Sequence, residues 1–281
     1  MTSRLARFVT RTLLPVMATA AMFMPGPLAA QGDLLVAPTR VILDGSRGTQ
    51  VILSNIGQQE ATYRIGLELR RMTKEGKLED VSREDANAIE QAALGMIRYA
   101  PRRIKLAPGQ PQAVRISARP GAELPDGEYR VHMSFKAIPE ARPVTPADAN
   151  APASGISIQL IPIYGVTIPV IVRKGRLEAV AAIQNPQIVA GPSGQNVLTL
   201  DLARQGESSM YGEIRVMKQG QEEPIYLARG VAVYSELSER TVRMGLNSEQ
   251  AAAMRGPVRI EYREMPEKGG DLITSVDTVI G

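Results

Sequence analysis

The sequence predicts an all-β protein built as two β-sandwiches. Short runs of apolar and polar residues alternate at period two along most of the chain. In one of them Tyr63, Ile65, Leu67 and Leu69 share a parity and Thr62, Arg64, Gly66 and Glu68 take the other. Turn formers punctuate these runs, with 25 Gly and 20 Pro in the chain. The length, 281 residues, suits two domains, and the runs fall into two sets of about 100 residues each.

Residues 1–30 read as a secretory signal. Arg4, Arg7 and Arg11 form a charged start, and Leu13 to Met24 is apolar but too short to span a bilayer easily. Pro25-Gly26-Pro27 breaks the run, and Ala29-Ala30 offers small residues for cleavage. No other stretch suggests a membrane span. The segment also carries most of the charge imbalance. The whole chain has 33 basic and 29 acidic residues, and removing three arginines leaves 30 against 29. Net charge therefore gives no support to a nucleic-acid partner.

The elements follow in order. Leu34 to Leu43 reads as a first strand interrupted by Pro38, and Thr49 to Asn55 and Ala61 to Arg70 as two more. Ser82 to Met96 breaks the β pattern. Ser82 with Asp85 is close to a capping box, and Ile89, Ala92, Ala93 and Met96 fall at helical spacing, which predicts a short helix inserted in the first domain. Strands resume over 98–108 and 112–118, and again after Asp126-Gly127, where Tyr129, Val131, Met133 and Phe135 share one face. Glu140 to Ser154, rich in Pro and Ala, reads as a loop. Lys174-Gly175 marks the domain boundary, giving domains 31–173 and 174–281. In the second domain, strands are expected over 197–202, 214–218, 225–234, 240–246 and 258–263, with a short helix capped at Asn247.

The stretch Gly155 to Arg173 stands apart. Ile156, Ile158, Leu160, Pro162, Tyr164, Val166, Ile168, Val170 and Val172 share one parity, and Ser157 and Gln159 lie on the other. At ~3.3 Å per residue, such a strand extends roughly 55 Å, longer than one small domain is wide. Pro162 lacks a backbone N–H, so part of the strand is expected to be an edge. A long apolar edge is either a bulged core strand or a working surface.

Chemistry is sparse. The chain has no Cys, which removes thiol nucleophiles, disulfides and Cys-based zinc sites. The single histidine, His132, reads as a solvated residue on the polar face of its strand. No phosphate loop, metal-ligand spacing or catalytic motif is found, so neither an enzyme nor a cofactor or metal site is expected. Glu222-Glu223 and the Glu236/Glu239 pair read as solvated turns. Arg40, beside Val41 and Ile42 and just after Pro38, has two readings: a snorkelling edge arginine, or an anchor for a carboxylate.

Taken together, these residues resemble the PapD-like periplasmic chaperones of the chaperone–usher pilus pathway. Pro38-Thr39-Arg40-Val41 is similar to that family's first-strand signature, and Leu53-Ser54-Asn55 to its second strand. Tyr99-Ala100-Pro101 with Gln112-Ala113-Val114-Arg115-Ile116 resembles its mid-domain segment, and Leu124 to Arg130 the block before its long loop. Leu202-Ala203-Arg204 with Ser209-Met210-Tyr211-Gly212 looks like a hallmark of the second domain. The resemblance covers almost all of 33–265 and implies two immunoglobulin-like sandwiches set at an angle. It implies a periplasmic protein that caps pilus or fimbrial subunits with its long edge strand and delivers them to an outer-membrane usher. Arg40 would then anchor the subunit carboxylate, and Ile156, Ile158, Leu160 and Tyr164 would enter the subunit.

There are departures. The family pairs its first-strand arginine with a lysine on the long strand, and that position falls near Thr167–Pro169, where nothing is basic. The 82–96 insertion is unusual. The chain thus reads as a divergent branch, with a structural or adhesion module of the cell envelope as the rival class.

Overall fold

The alternating runs become seventeen strands in the computed structural model, which describes residues 34–139 and 163–281. The expected signal at 1–30, the loop after Ile138 and the first half of the long apolar stretch, with Ile156, Ile158 and Leu160, lie outside the described residues. The first part of the chain forms β1 (Leu34–Ala37), β2 (Val41–Leu43), β3 (Thr49–Asn55), β4 (Ala61–Met72), β5 (Leu78–Val81) and helix α1 (Ala88–Met96). It continues with β6 (Ile97–Ala100), β7 (Arg103–Leu106), β8 (Pro111–Ala118), β9 (Gly127–Ile138) and β10 (Gly165–Lys174). One sheet has the order β1-β3-β8-β6, and the facing sheet the order β2-β10-β9-β4-β5, with β7 also on β4.

Two stretches each expected as one strand, the first of them interrupted at Pro38, are divided between these sheets. Pro38 follows β1, which pairs antiparallel with β3, and the chain then crosses so that β2 pairs parallel with β10. Pro101 separates β6, on β8, from β7, on β4. Proline cannot donate to a ladder, and in both places it stands where the chain leaves one sheet for the other.

The inner faces close over one core. Val51, Leu53, Val114 and Ile116 from one sheet meet Tyr63, Val131, Phe135, Ile168, Val170 and Val172 from the other. The even-parity row of the long strand therefore belongs, from Ile168 onward, to the protein's own core.

Helix α1 starts later than its sequence suggests. Asn87 is the cap: its side chain accepts from the Glu90 N–H, while Glu90 accepts from the Asn87 N–H. Ser82 and Asp85 instead bond to each other in a turn before the helix. Ala93 and Met96 enter the core, and Arg71 holds Glu90 with two 2.7 Å bonds. The insertion is thus fastened to the sheet by both packing and charge.

The second part comprises β11 (Ala179–Ala190), β12 (Asn196–Gly206), β13 (Met210–Lys218), β14 (Tyr226–Val233), β15 (Glu239–Leu246), α2 (Ser248–Ala253), β16 (Gly256–Glu264) and β17 (Leu272–Ile280). Its sheets are β11-β12-β15 and β14-β13-β16-β17. β11 and β17 were not expected. β11 breaks its register between Gln184 and Gln187, around Pro186, and β17 is a polar-rich edge. Leu198, Leu200, Leu202, Ile214, Val216, Ile260 and Tyr262 fill the core between them. The fold is all-β, two sandwiches with one helix inserted in the first.

Candidate functional site

Arg40 lies in the chain segment where β1 ends and β2 begins. It lines a cleft of about 780 Å³ whose walls come from both sandwiches, among them Ile42, Arg173, Ser209, Tyr211, Glu264 and Lys268. Its guanidinium donates to Ser209 Oγ at 3.1 Å, and it sits 4.7 Å from the centre of the Tyr211 ring and 5.7 Å from that of Tyr234. Both rings are within cation–π range. Its Nε is buried and has no hydrogen-bond partner. Burial lowers its pKa, opposed by Tyr234 and Glu128, and an arginine so placed keeps its charge.

Glu128 is the acidic neighbour that the sequence did not reveal. Its carboxylate, fully buried, accepts from Ser209 N at 3.0 Å, Ser209 Oγ at 2.8 Å and Arg173 Nε at 3.1 Å. Arg173 also donates to the Ser209 carbonyl at 3.0 Å. One carboxylate on β9 thereby fixes the Ser209 turn of the second sandwich and an arginine at the end of β10. Arg173 is the basic residue that the long strand brings to this cleft, and its charge weighs on Arg40.

The seam continues away from the cleft. Arg130 donates to both oxygens of Glu236, at 2.6 and 2.8 Å, and stacks 3.7 Å over the Tyr234 ring. Glu236 also accepts from Met72 N at 2.8 Å. Burial opposes ionisation of Glu236, yet the Arg130 bonds hold its pKa below the ordinary carboxylate value. Glu236 is an exposed turn residue, as expected, but it is held by Arg130, and Glu239, half-buried at the start of β15, pairs with Lys74 at 2.7 Å.

His132 is also not solvated. It is 1 % exposed, edge-on to Tyr234 with 6.2 Å between ring centres, and both its nitrogens lack partners. Burial, with Arg130 and Arg70 nearby, lowers its pKa to about 3. The outer face of β9 looks polar in sequence, but the second sandwich covers it here.

The long strand enters this site with one side bare. β10 pairs with β9 along its full length, from Gly165 opposite Lys136 to Lys174 opposite Gly127. On its other side β2 pairs only with Val170, Ile171 and Val172. Gly165 to Pro169 therefore have no strand on that side among the described residues. Tyr164, immediately before β10, is 50 % exposed, and its carbonyl accepts from Ala137 N. The structure brings the bare edge and Arg40 together, because β2 begins one residue after Arg40.

No protein-family model and no curated protein matches this chain. Solved structures do show a likeness. The E. coli chaperone DraB is 14% identical, with 89% of this chain and 97% of that one covered and a TM-score of 0.46. A chain from the structure of Salmonella enterica SafA pilin in complex with the SafB chaperone is 16% identical, with 88% and 96% covered and a TM-score of 0.43. The Pseudomonas aeruginosa CupB2 chaperone is 13% identical, with 88% and 100% covered and a TM-score of 0.43. Likeness at this level does not identify what the chain does.

Proposed function

We propose that this protein is a periplasmic chaperone of pilus or fimbrial assembly, which captures subunits by strand addition and hands them to an outer-membrane usher. One observation carries the reading: a bare strand edge that ends head-on at a half-buried arginine. β2 runs parallel to β10. A guest strand placed on the same edge upstream of β2, in the same direction, would bring its C-terminus to Arg40. Main-chain bonds to Gly165–Pro169 would give affinity, and the terminal carboxylate would meet the guanidinium. Arg173 would supply the second positive charge expected at such an anchor. Upstream, Ile156, Ile158, Leu160 and Tyr164 would enter the guest, and Ser157 and Gln159 would face water.

Alternating substitution tests this. Burying an aliphatic side chain contributes about 1.5–3 kcal/mol, and burying an unpaired charge is costly. Leu160→Glu and Ile158→Glu should abolish co-purification with a small secreted β-rich subunit, while Gln159→Glu and Ser157→Glu should retain it. All four free proteins should melt like wild type. A markedly lowered melting temperature in Leu160→Glu would place that residue in the protein's own core, and equal loss at odd and even positions would remove the proposed register.

A further inference from the structure

The first sandwich has a second unusual surface, on the sheet away from β10. Residues 34–139 hold 16 Lys and Arg against 12 Asp and Glu, whereas residues 163–281 hold 13 against 14. Part of that surplus is concentrated around Tyr99 on β6. A hollow of about 280 Å³ at the sandwich side has Arg83, Arg98 and Arg102 in its wall. A second hollow, of about 630 Å³, runs over the outer face of β3, β8 and β6 and has Arg98 and Arg115 in its wall. The two share Arg98 and Tyr99, and neither contains an acidic side chain in its lining.

These arginines differ from an ordinary solvated face. Arg102 lies 4.9 Å from the centre of the Tyr99 ring and donates to its hydroxyl. Arg98 donates to the carbonyls of Gly95 and Ile97, where α1 ends and β6 begins. Both are exposed, yet both are held, with donors left over. Arg83 and Arg115 are exposed and make no side-chain bond or ion pair among the described residues. Arg98, Arg102 and Arg115, with no ion pair among the described residues, and Arg83, whose only near acid is the exposed Glu84–Asp85 turn, raise the local positive potential, and two pre-oriented forks favour planar carboxylates.

We infer that this face docks an acidic polypeptide segment of a partner protein, with carboxylates received by Arg98, Arg102 and Arg115 and by Arg83 at the side. The occupant is a segment rather than a single anion because the two hollows adjoin and span from the sheet face to its side. The shared arginine would bind at the junction. This surface meets the Arg40 cleft only at Thr49 and does not depend on the strand-addition reading.

The test uses the full chain and a ten-residue peptide with four glutamates, compared with the same peptide carrying glutamines, with inorganic phosphate and with anionic lipid vesicles. The glutamate peptide should bind at least tenfold more tightly than the glutamine one, and raising salt should weaken it. Arg98→Glu with Arg115→Glu should reduce binding at least tenfold, and Arg98→Gln with Arg115→Gln serves if the reversal disturbs folding. Arg64→Glu with Arg103→Glu makes the same charge change on the opposite sheet, where these two exposed arginines are cross-strand partners, and should leave binding intact. Equal binding of the two peptides, equal loss in the control pair, or tighter binding of phosphate or vesicles would each overturn the proposal.

Discussion

Arg204 and Arg40 stand near the same seam and are treated oppositely. Arg204, on β12, is buried and donates to four carbonyls: Leu237 at 3.0 Å, Gly206 at 2.6 Å, Ser208 at 3.1 Å and Ser235 at 2.8 Å. It thereby ties together the two turns that carry Ser209 and Glu236 to the first sandwich. Arg40 has one hydrogen bond to Ser209, two aromatic rings and a buried Nε without a partner. A buried charge that is fully bonded specifies a structure, and one left under-bonded beside an open cleft is ready for an incoming anion. The two residues therefore separate scaffold from site within one polar layer.

The comparison breaks first at Arg204. Arg204→Ala leaves several buried carbonyls without donors, each costing ~1–3 kcal/mol. Stability in urea should fall by about 4 kcal/mol, and client binding should be lost only as far as the fold is lost. A drop below about 1 kcal/mol would mean that the turns hold themselves.

Arg40→Ala should show the reverse. Removing a cation–π contact and one hydrogen bond should lower stability by about 1 kcal/mol. Client affinity should fall by roughly 2–5 kcal/mol, the usual cost of truncating one partner of a desolvated charge pair. Isothermal titration and melting on the same sample check both. Unchanged affinity would leave Arg40 as a snorkelling arginine.

His132 sharpens the comparison from the neutral side. Its folded pKa of about 3 lies below its ordinary 6.5, because of burial and then Arg130 and Arg70. The unfolded chain therefore binds the proton more readily. The stability that neutral His132 contributes is complete above pH 6.5 and is lost as pH falls toward 3, by about 1.4 kcal/mol per pH unit. Denaturation curves between pH 7 and pH 4 should show this slope, and His132→Phe should flatten it.

The smallest effect is expected far from the seam. Asn87→Ala removes the α1 cap and should cost about 1 kcal/mol, without changing client binding. A larger loss of binding would mean that the inserted helix takes part in the site.

Much of this was legible in the residues. Period-two alternation found most strands, and Asn247 marked the start of the short second helix, where its side chain accepts from Gln250 N. Ser82 and Asn87 show the limit: both begin a plausible cap, and only at Asn87 does the i+3 side chain, Glu90, reach back to the cap N–H, while Asp85 bonds the Ser82 hydroxyl instead. β11 was missed because Asn185-Pro186 breaks its alternation at a register shift, and β17 because Thr, Ser and Asp are mixed through its apolar positions.

The sequence by itself determined the β character of the chain, the parity of the long strand from Ile168 onward and the place of Arg40 beside apolar neighbours. All of these are local patterns, set by side-chain period and turn chemistry over a few residues. Only the tertiary structure decided that Pro38 and Pro101 mark changes of sheet, that β2 pairs with only three of the ten residues of β10, and that Glu128 meets Ser209. It also decided that His132 is buried and that Arg130 and Glu236 are ion-paired beside it. These depend on pairs such as Arg130 and Glu236, 106 residues apart, and the exposure of a polar face is set by what packs on it, which no period in the strand records.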